Sequence, residues 1–599
     1  MKKILVILFL FLLFPAISLA ADFKSDYKVE YTIEQTDNTI KTKVAFKVAI
    51  TNLKSDVYVK KFALIFPKPF LISNLKANDD KTEVAPIVTE TDDKINLELE
   101  FSDPKTGRDT TNNFYLNFYQ VGLFQQSGNI WEVILPTMQD KEQSTYQAIV
   151  NLPAGTDKKI SIAKPKPDLN NGSQMVWNNP STRTIYAVFG DRQYYQTDLI
   201  YHLRNPRLTP VYTDVAFPPD TLYQKIYVNS IDPQPASVFI DEDGNYLGRY
   251  YLNPKETKAI NFSGVIELFS QPREEMKPIL RSTIIQQKKY LLNESKYWKL
   301  DNPEDFPKIK TPEEVYSYVT SNLTYDFSKL KTDNERLGAA KALLFPDRAV
   351  CIEFSDLFVA LAREKGILAR EVQGYGFSQD SRLRPLSLTS DILHSWPEYY
   401  DQKNELWMAV DPTWENTSGI DYYSSLDLNH VAFAIHGKRP DYPAAAGMYK
   451  LEDTQDILIK PIKTKPDDRI AIVLDSIALA EKINDSNNYT LKFKLRNNSN
   501  IFVNNIEYRI EADGLTLNPS TAKFLTMPPF ETKDIEIKYQ ARNKNIQSVS
   551  SLKIFLNDKE MYTASVKITP YYYEIALVGA LVLLGVLVLI LLLRILKRN

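Results

Sequence analysis

The sequence predicts a multidomain chain in which β-rich regions flank a helical centre and one apolar helix near the C-terminus crosses a membrane. Apolar residues alternate with period two, between clusters of Asn, Asp and Pro, on both sides of the centre, which is typical of antiparallel β-sandwiches. From about residue 300 to 445 the apolar spacing changes to the three- and four-residue intervals of helices. The run from Ile575 to Leu593 holds 19 consecutive apolar residues, enough at about 1.5 Å per residue to cross a hydrocarbon core of roughly 30 Å.

Residues 1–20 are predicted to be a cleavable signal peptide. Lys2 and Lys3 supply a positive start, residues 4–14 form an unbroken apolar run, and residues 18–20 offer the small side chains that a signal peptidase requires. The mature chain is therefore expected to lie outside the cytoplasm from about residue 21.

Three β domains are predicted at residues 21–162, 163–270 and 466–569, the last an immunoglobulin-like sandwich, with linkers at 271–299 and 446–465. The alternating apolar positions that indicate strands are Val29, Tyr31, Ile33, Val44, Phe46, Val48, Ile50, Ile95, Leu97, Leu99 and Phe101 in the first domain, and Leu491, Phe493, Leu495, Ile506, Tyr508, Ile510, Ile535, Ile537 and Tyr539 in the third.

The second β domain carries a hairpin signal at residues 237–248, with Asp243 and Gly244 at its turn. The acidic residues of this turn raise calcium binding as an alternative. The stretch lacks the full calcium ligand loop, which favours the plain turn.

The helical centre, predicted as a domain at residues 300–445, opens with a helix capped by Thr311 and supported by Glu314. A second helix is predicted over Glu335–Leu344. A third is predicted to run from near Cys351 until Gly366 ends it. Cys351 would then lie at a helix N-terminus, where unpaired backbone N–H groups and the helix dipole favour a thiolate.

Charge and cysteine content narrow the function classes. Lys and Arg number 72 against 74 Asp and Glu, and no basic patch of the kind needed for nucleic-acid binding is visible. Cys351 is the one cysteine, so it cannot join an internal disulfide; it is an inert buried thiol, a site of intermolecular pairing or a nucleophile. One Cys and four scattered His show no metal-ligand spacing, so neither a metal nor a cofactor is predicted.

Two predicted strands after the third helix carry an imidazole and a carboxylate. They are His394–Tyr400 and Glu405–Asp411, and residues 401–404 form the turn between them. If the residues that flank this turn pair with each other, His394 faces Asp411 across the hairpin, with Cβ atoms roughly 4.5–5.5 Å apart. The carboxylate could then fix the tautomer of the imidazole, and the imidazole could take a proton from the thiol.

These residues resemble the transglutaminase-like superfamily. The resemblance is carried, in chain order, by Cys351 opening a helix, Arg363–Arg370, Gly374-Tyr375, His394-Ser-Trp396, Trp407 and Asp411-Pro-Thr-Trp414. It covers the central domain and not the β flanks. It implies a papain-like α+β core in which Cys351, His394 and Asp411 match the catalytic triad.

Two positions depart from the family pattern. Ala349 stands where a Gly often lies two residues before the family's cysteine, and its small side chain keeps the turn into the helix feasible. Ile352 stands where the cross-linking enzymes of the superfamily often have Trp. The second departure favours cysteine chemistry in general over protein cross-linking in particular.

The predicted function is that of a surface-anchored transglutaminase-like cysteine enzyme that transfers or hydrolyses protein amides through a thioester, with protein or peptide substrates. A cysteine peptidase of the same core fold is one alternative. A non-catalytic adhesion or assembly protein is another, and the intact triad argues against it. Nine other residues are expected to be structural. Trp396, Trp407 and Trp414 would form the core or the wall of the cleft, Glu353, Glu398 and Arg370 would form ion pairs, and His202, His430 and His436 lie outside the catalytic pattern.

The C-terminal end predicts a single-pass anchor. Residues 574–594 are the expected transmembrane helix, residues 571–573 are tyrosines suited to the membrane interface, and residues 595–599 are the expected cytoplasmic tail, with Lys597 and Arg598. The bulk of the chain would then lie outside the cytoplasm, at the cell surface, and the composition suggests a bacterial source.

Overall fold

A computed structural model describes the chain from residue 22 to residue 597. The description leaves out residues 37–38, 68–70, 92–93, 138–143, 183, 330–334, 379–383, 385–386, 389–391, 451–453 and 520–522. The predicted signal peptide and the last two residues of the predicted tail lie outside the described residues. The chain forms two compact units, one of Met1–Gln193, Arg382–Arg384 and Trp414–Leu428, the other of Tyr194–Ser381, Pro385–Thr413 and Asn429–Asn599.

The described residues of the first unit from Asp22 to Gly190 form strands and loops. Its strands are Phe23–Thr36 (β1), Thr39–Asn52 (β2), Lys61–Pro67 (β3), Leu71–Asp79 (β4), Glu83–Val84 (β5), Ile87–Glu90 (β6), Lys94–Glu100 (β7), Thr111–Val121 (β8), Phe124–Ser127 (β9), Ile130–Pro136 (β10), Ser144–Asn151 (β11), Ile160–Lys164 (β12), Leu169–Asn170 (β13), Gln174–Asn178 (β14) and Thr184–Phe189 (β15). They form an eight-stranded sheet in the order β13-β14-β11-β1-β2-β8-β4-β5, a four-stranded sheet β12-β15-β10-β9 and a three-stranded sheet β3-β7-β6.

The alternation that predicted these strands reports their buried face. Every second residue of β1 and β2, from Val29 to Ile33 and from Val44 to Ile50, is buried in one apolar core together with Leu97 and Leu99 of β7. Their neighbours point away from that core, as the two-residue period of a strand requires.

The second unit begins with two more sheets. Its first strands are Arg192–Arg204 (β16), Val211–Phe217 (β17), Gln224–Asp232 (β18), Ser237–Ile240 (β19), Tyr246–Leu252 (β20) and Thr257–Phe269 (β21). The predicted hairpin is confirmed, since β19 pairs antiparallel with β20 and Gly244 in the turn takes a φ of 96°. Asp241 in this turn accepts hydrogen bonds from the backbone N–H groups of Asp243 and Asn245, at 2.9 and 2.8 Å, so its carboxylate serves the turn.

Helix Lys277–Gln287 (α1) comes before the helical centre. The helices of the centre are Pro312–Asn322 (α2), Gly338–Leu344 (α3), Cys351–Glu364 (α4) and Pro412–Ser418 (α5), and its strands are Ala369–Gly376 (β22), Ser387–Leu388 (β23), Ile392–Asp401 (β24), Leu406–Ala409 (β25) and His430–His436 (β26). The sheet order is β23-β24-β22-β26, with β25 paired to β24. Helix α4 packs on β22 and β24 and contacts α2 and α3, which places its N-terminus beside the sheet.

The helix boundaries follow local chemistry. The predicted cap of α2 is confirmed, because Glu314 N–H donates to Thr311 Oγ1 at 3.2 Å and Thr311 N–H donates to the Glu314 carboxylate at 3.0 Å. Helix α3 begins at Gly338 rather than at the predicted Glu335, and Gly338 takes a φ of 77° at this entry. Gly366, with φ 76°, follows the end of α4 as predicted.

Two stretches predicted as linkers hold regular structure. Helix α1 lies within 271–299, and Ile457–Ile462 (β27), within 446–465, pairs with β16 to complete a sheet of order β18-β21-β16-β27. After the helical centre, the chain therefore adds β27 to the sheet formed by β16, β18 and β21. The predicted domain boundaries themselves stay predictions.

The last β region is a pair of sheets around one core. Its strands are Ile472–Ala478 (β28), Lys482–Asn484 (β29), Tyr489–Asn497 (β30), Val503–Ala512 (β31), Leu515–Asn518 (β32), Lys523–Met527 (β33), Thr532–Ala541 (β34), Ser548–Leu556 (β35) and Lys559–Thr569 (β36). The sheet orders are β28-β30-β34-β32 and β29-β36-β35-β31-β33. Buried residues of both sheets, among them Phe493 and Ile537 on one and Tyr508 and Ile554 on the other, share one apolar core.

One helix follows this region. Tyr571–Leu596 (α6) contains the predicted span, has a mean hydropathy of 3.3 over an 18-residue window, and is the one helix among the described residues long and apolar enough to cross a membrane. The observed architecture is thus mostly β, with a few helices at the centre and one apolar C-terminal helix, as the sequence predicts.

Candidate active site

Cys351 is the first residue of α4, and its side chain is buried. Val350 before it is extended, and the Glu353 carboxylate reaches back to accept the Val350 N–H at 3.0 Å. The same carboxylate accepts the Leu337 N–H at 2.9 Å and pairs with Lys329 at 2.9 Å. Glu353 therefore fixes the helix start that presents the thiol, with its backbone N–H groups beside it.

His394 lies on β24, in the interior of the central sheet. Its backbone pairs with Gly374 of β22, and the residue is 1% exposed. A Cβ built on Gly374 would lie 1.9 Å from the Val431 carbonyl oxygen and 2.9 Å from the Trp396 ring. Glycine at this position is thus what lets β26 approach β22, the strand that pairs with the one carrying His394.

Asp411 lies just beyond β25 and is fully buried. Its Oδ1 accepts the Thr413 backbone N–H at 2.9 Å, at the start of α5, and its own carbonyl accepts the Tyr316 hydroxyl at 3.2 Å. Its Oδ2 lies 2.8 Å from His394 Nε2. The structure therefore brings the predicted carboxylate and imidazole into hydrogen-bond contact, while the same carboxylate also holds the turn after the strand.

The register that predicted this contact is wrong. The observed pairs are Asp401 with Leu406 and Glu398 with Ala409, so the turn lies one residue later than predicted. Asp401 Oδ1 accepts the Lys403 N–H at 2.9 Å, and Glu405 takes a φ of 55°, which together fix the turn at residues 402–405. Pairing partners consequently shift by two residues. A two-residue shift keeps every side chain on its face, which is why the imidazole and the carboxylate still meet.

The electrostatics of this pair favour charge separation. Burial opposes ionisation of Asp411, but the neighbouring His394 and His430 hold the pKa of its carboxyl well below the usual range. Burial also opposes protonation of His394, yet the Asp411 carboxylate, and to a smaller extent the nearby Cys351, raise the pKa of the imidazole above 6.5. The imidazole and the carboxylate thus form a buried hydrogen-bonded pair, and the thiol lies in their electrostatic surroundings.

His430 is a site residue that the sequence interpretation missed. It was expected to be structural, but its Nε2 lies 3.2 Å from the same Asp411 Oδ2, and the Trp396 ring packs edge-on against it at 5.1 Å. Among the described residues, His394, Asp411 and His430 form the one group of three ligand-type side chains close enough to hold a metal ion. No spacing signal points to His430, because it lies on β26 and reaches the site only through the pairing of β26 with β22.

A buried polar network joins the strand of His394 to the helix of Cys351. Ser395 Oγ donates to Glu371 Oε1 at 2.9 Å and lies 3.0 Å from Ser355 Oγ, which donates to the Cys351 carbonyl at 3.0 Å. Arg336 lies 2.7 Å from Glu371 Oε2. Burial opposes ionisation of the Glu371 carboxyl, but the positive charge of Arg336 outweighs it and lowers the pKa of Glu371 to about 2. These contacts fix the helix and the strand relative to each other.

Tyr325 adds a buried hydroxyl to the site. Its backbone bridges to Ala349, and the Asp326 N–H donates to the Ala349 carbonyl at 2.8 Å, which ties this segment to the entry of α4. Burial and the nearby Cys351 and Asp411 raise the pKa of the Tyr325 phenol well above its usual range. Within the described part of the chain, its hydroxyl has no hydrogen-bond partner.

The other residues singled out in the sequence lie in structural surroundings. Arg370 pairs with Glu398 at 2.6 Å and stacks on Trp407 at 3.9 Å. His202 pairs with Asp456 at 3.2 Å. The side chains of Trp396, Trp407 and Trp414 are all buried, which fits core positions better than substrate stacking, and His436 Nε2 lies 2.7 Å from the Pro443 carbonyl.

Comparison with known proteins identifies the central domain. The sequence model of the transglutaminase-like superfamily matches residues 300–412, which include Cys351, His394 and Asp411. No curated protein matches the chain significantly.

Solved structures that match the chain include a candidate cysteine protease from Cytophaga hutchinsonii, at 16% identity and a TM-score of 0.30, covering 46% of this chain and 92% of that one. They also include the periplasmic domain of TgpA from Pseudomonas aeruginosa with ethylmercury bound, at 14% identity and a TM-score of 0.22, covering 38% and 92%. The family match leads to one conclusion: the chain contains, at residues 300–412, a domain of the transglutaminase-like superfamily.

Proposed function

We propose that the chain is a membrane-anchored cysteine enzyme that transfers or hydrolyses the acyl group of protein amides through a thioester on Cys351. The observation that carries the proposal is the buried contact of His394 with Asp411 at 2.8 Å, beside a Cys351 thiol close enough to help raise the pKa of the imidazole. A carboxylate that orients an imidazole beside a thiol is the arrangement that nucleophilic cysteine catalysis needs.

The first half-reaction forms the thioester. The Cys351 thiol gives its proton to His394, and the sulfur attacks the carbonyl carbon of an amide. The tetrahedral intermediate collapses as the C–N bond breaks, and the imidazolium of His394 delivers its proton to the departing amine or ammonia. Asp411 stays ionised throughout and stabilises the imidazolium.

Two groups would stabilise the oxyanion. The backbone N–H of Cys351 at the start of α4 would be one donor, and the buried Tyr325 hydroxyl, whose pKa Cys351 helps to raise, would be the second. Donors fixed in a site from which water is excluded act on developing charge without reorganising. The raised pKa keeps the Tyr325 phenol protonated at neutral pH, so it would act as a hydrogen-bond donor.

The second half-reaction decides the reaction class. His394 removes a proton from water or from an amine, which attacks the thioester carbonyl; the C–S bond breaks and the thiol recovers its proton. Water gives hydrolysis of a peptide bond or a side-chain amide, and an amine gives transfer. The triad serves each of these equally, so cysteine peptidase activity is the second candidate function.

The cellular location is proposed from the apolar helix α6. Helix α6 would anchor the protein with the catalytic domain outside the cytoplasm, where it would meet envelope or extracellular proteins. The interpretation as a non-catalytic adhesion protein is less well supported, since it gives no role to the buried imidazole–carboxylate pair or to the single thiol.

Product analysis tests the proposal. The full chain in detergent is incubated with glutamine-containing peptides, with and without a primary amine, and the products are identified by mass spectrometry. Amine adducts indicate transfer, replacement of the amide nitrogen by oxygen indicates deamidation, and shorter peptides indicate proteolysis. Any of the three that disappears in Cys351→Ser supports the proposal.

The matched control is Asp301→Asn, which removes an exposed carboxylate of the same domain and should leave the products unchanged. The absence of all three products across a diverse peptide set, or products that persist in Cys351→Ser, would overturn the proposal.

A further inference from the structure

Two imidazoles converge on a single carboxylate oxygen in the interior of the domain. His394 Nε2 and His430 Nε2 lie 2.8 and 3.2 Å from Asp411 Oδ2, and the ligand atoms of the three residues all lie within 4.8 Å of one another. A triad requires one imidazole on the carboxylate. The second imidazole is therefore unexplained by the proposed reaction.

The spacing of these atoms matches the edges of a metal polyhedron. Zinc binds imidazole nitrogen and carboxylate oxygen at about 2.0–2.2 Å, so neighbouring ligand atoms of a tetrahedral site lie roughly 3.3 Å apart. The two observed N···O separations are within about half an ångström of that value. Small shifts of the three side chains would therefore be enough for one ion to replace the protons between the two imidazoles and the Asp411 carboxylate.

We propose that His394, Asp411 and His430 bind one divalent transition-metal ion of the zinc class, with two nitrogen ligands, one oxygen ligand and a fourth position left for water. Imidazole and carboxylate ligands suit zinc and cobalt(II) better than the hard cations calcium and magnesium. The Trp396 ring, packed edge-on against His430 at 5.1 Å, holds that imidazole toward the cluster.

Cys351 is outside this ligand set. Because His394 Nε2 faces Asp411, the proposed reaction leaves Nδ1 as the nitrogen that accepts the thiol proton. The two nitrogens lie on opposite sides of the ring. The ion would therefore bind on the side of the ring away from the sulfur.

The consequence for catalysis rests on the proposed function. A neutral imidazole has one lone pair and one N–H. When a metal binds the Nε2 lone pair, the proton must lie on Nδ1, and that nitrogen can no longer accept the thiol proton. The bound ion would thus hold the enzyme in an inactive form, and its removal by a chelator would restore the base.

The test measures metal binding without substrate. The metal-free full chain in detergent is titrated with Zn²⁺ by calorimetry, and Co²⁺ is added separately to record its absorption spectrum. We expect one ion per chain in the wild type and in Cys351→Ser, a variant that cannot catalyse. Zn²⁺ binding is measured without catalysis, so the metal site can be confirmed even if the proposed enzymatic activity is not found, and the reverse also holds.

Two histidine variants give the comparison. His430→Asn should weaken Zn²⁺ binding by at least about 10- to 100-fold. Substituting a residue that only hydrogen-bonds to a metal ligand already has an effect of that size, and this variant removes a ligand itself. His202→Gln removes an imidazole from an imidazole–carboxylate pair elsewhere in the same unit, and it should bind Zn²⁺ as the wild type does.

Three results would overturn the inference: no stoichiometric ion in the wild type, unchanged binding in His430→Asn, or loss of binding in Cys351→Ser. If thermal melting shows that His430→Asn does not fold, the cobalt spectrum of the wild type decides. Tetrahedral d–d bands without sulfur-to-cobalt charge transfer support the site, and a charge-transfer band contradicts it.

Discussion

At the residue scale, one carboxylate holds the candidate site together. Asp411 accepts a backbone N–H with one oxygen and faces two imidazoles with the other, and it lies outside any strand, directly before α5. Three roles therefore depend on its charge: the turn, the orientation of His394 and the position of His430. The sequence predicts the first two from Asp-Pro and from the hairpin, but nothing local in the sequence marks the third.

Asp411→Asn keeps the size of the side chain and removes its charge. The amide can no longer stabilise an imidazolium or select the tautomer of His394, so kcat/KM for a reactive peptide should fall roughly 10²- to 10⁴-fold. Steady-state kinetics of the two proteins measures this. Asp301→Asn should retain wild-type kinetics, and a fall of less than about threefold in Asp411→Asn would argue against an orienting role.

The same pair predicts how stability depends on pH. The Asp411 pKa is lowered below 3.8 on folding, so its stabilisation is present above pH 3.8 and is lost as the pH falls through the folded value. The His394 pKa is raised above 6.5, so its stabilisation is present below pH 6.5 and is lost as the pH rises through the folded value. The two shifts together define a window in which the pair contributes most.

The wild type should therefore exceed Asp411→Asn in free energy of unfolding most strongly between pH 3.8 and 6.5, and the difference should decline on both sides. Denaturant unfolding of both proteins across this range measures it. Groups that titrate equally in the two proteins cancel. A difference that stays constant from pH 3 to 9 would show that the pair is not ionised as described.

At the element scale, the hairpin shows what a sequence pattern can and cannot predict. The two-residue period correctly placed His394 and Asp411 on one face of the sheet. The observed pairing differs from the predicted one by two residues, and a shift by an even number leaves every side chain on the same face. The position of the turn was missed, since it depends on Asp401 capping Lys403 and on Glu405 adopting a positive φ. These are properties of backbone conformation that residue type only weakly determines.

The central sheet also sets how closely β26 approaches. Gly374→Ala would place a Cβ 1.9 Å from the Val431 carbonyl, so β26, which begins with His430, must move. We expect a loss of about 1–3 kcal/mol or more in stability from overpacking, with slower alkylation of Cys351 because His430 and Trp396 shift. Thermal unfolding and iodoacetamide labelling measure the two effects.

Gly366→Ala separates strain from overpacking. Gly366 has a φ of 76° with nothing within 4 Å of an added Cβ, so a loss of about 1 kcal/mol with unchanged alkylation is expected. Equal effects of the two glycine substitutions on alkylation would contradict the role given to the close approach of β26.

At the scale of the whole molecule, the large features were predictable and their connections were not. Apolar alternation in β1, β2, β30 and β34 and the apolar run of α6 are long, repeated signals, and they correctly predicted a β-rich chain with one C-terminal apolar helix. Strand β27 was missed because its pairing with β16 joins residues more than 250 positions apart in the sequence, which no local pattern encodes.

Helix α6 is expected to be the membrane anchor. A chain ending at Pro570 lacks α6 and should move from the membrane fraction to the aqueous fraction after carbonate extraction. A chain ending at Leu596 lacks only the last residues and should stay in the membrane. If the shorter chain remains with the membrane, another segment anchors the protein and the assignment of α6 is wrong.

The central claim is that His394, held by Asp411, activates Cys351. Because the chain has one cysteine, the rate of iodoacetamide alkylation at neutral pH reports on that thiol alone. We expect the wild type to react faster than free cysteine and His394→Asn to react at least about tenfold more slowly than the wild type, since the variant loses the imidazole that accepts the thiol proton. Equal rates in the wild type and His394→Asn, neither above that of free cysteine, would contradict the account.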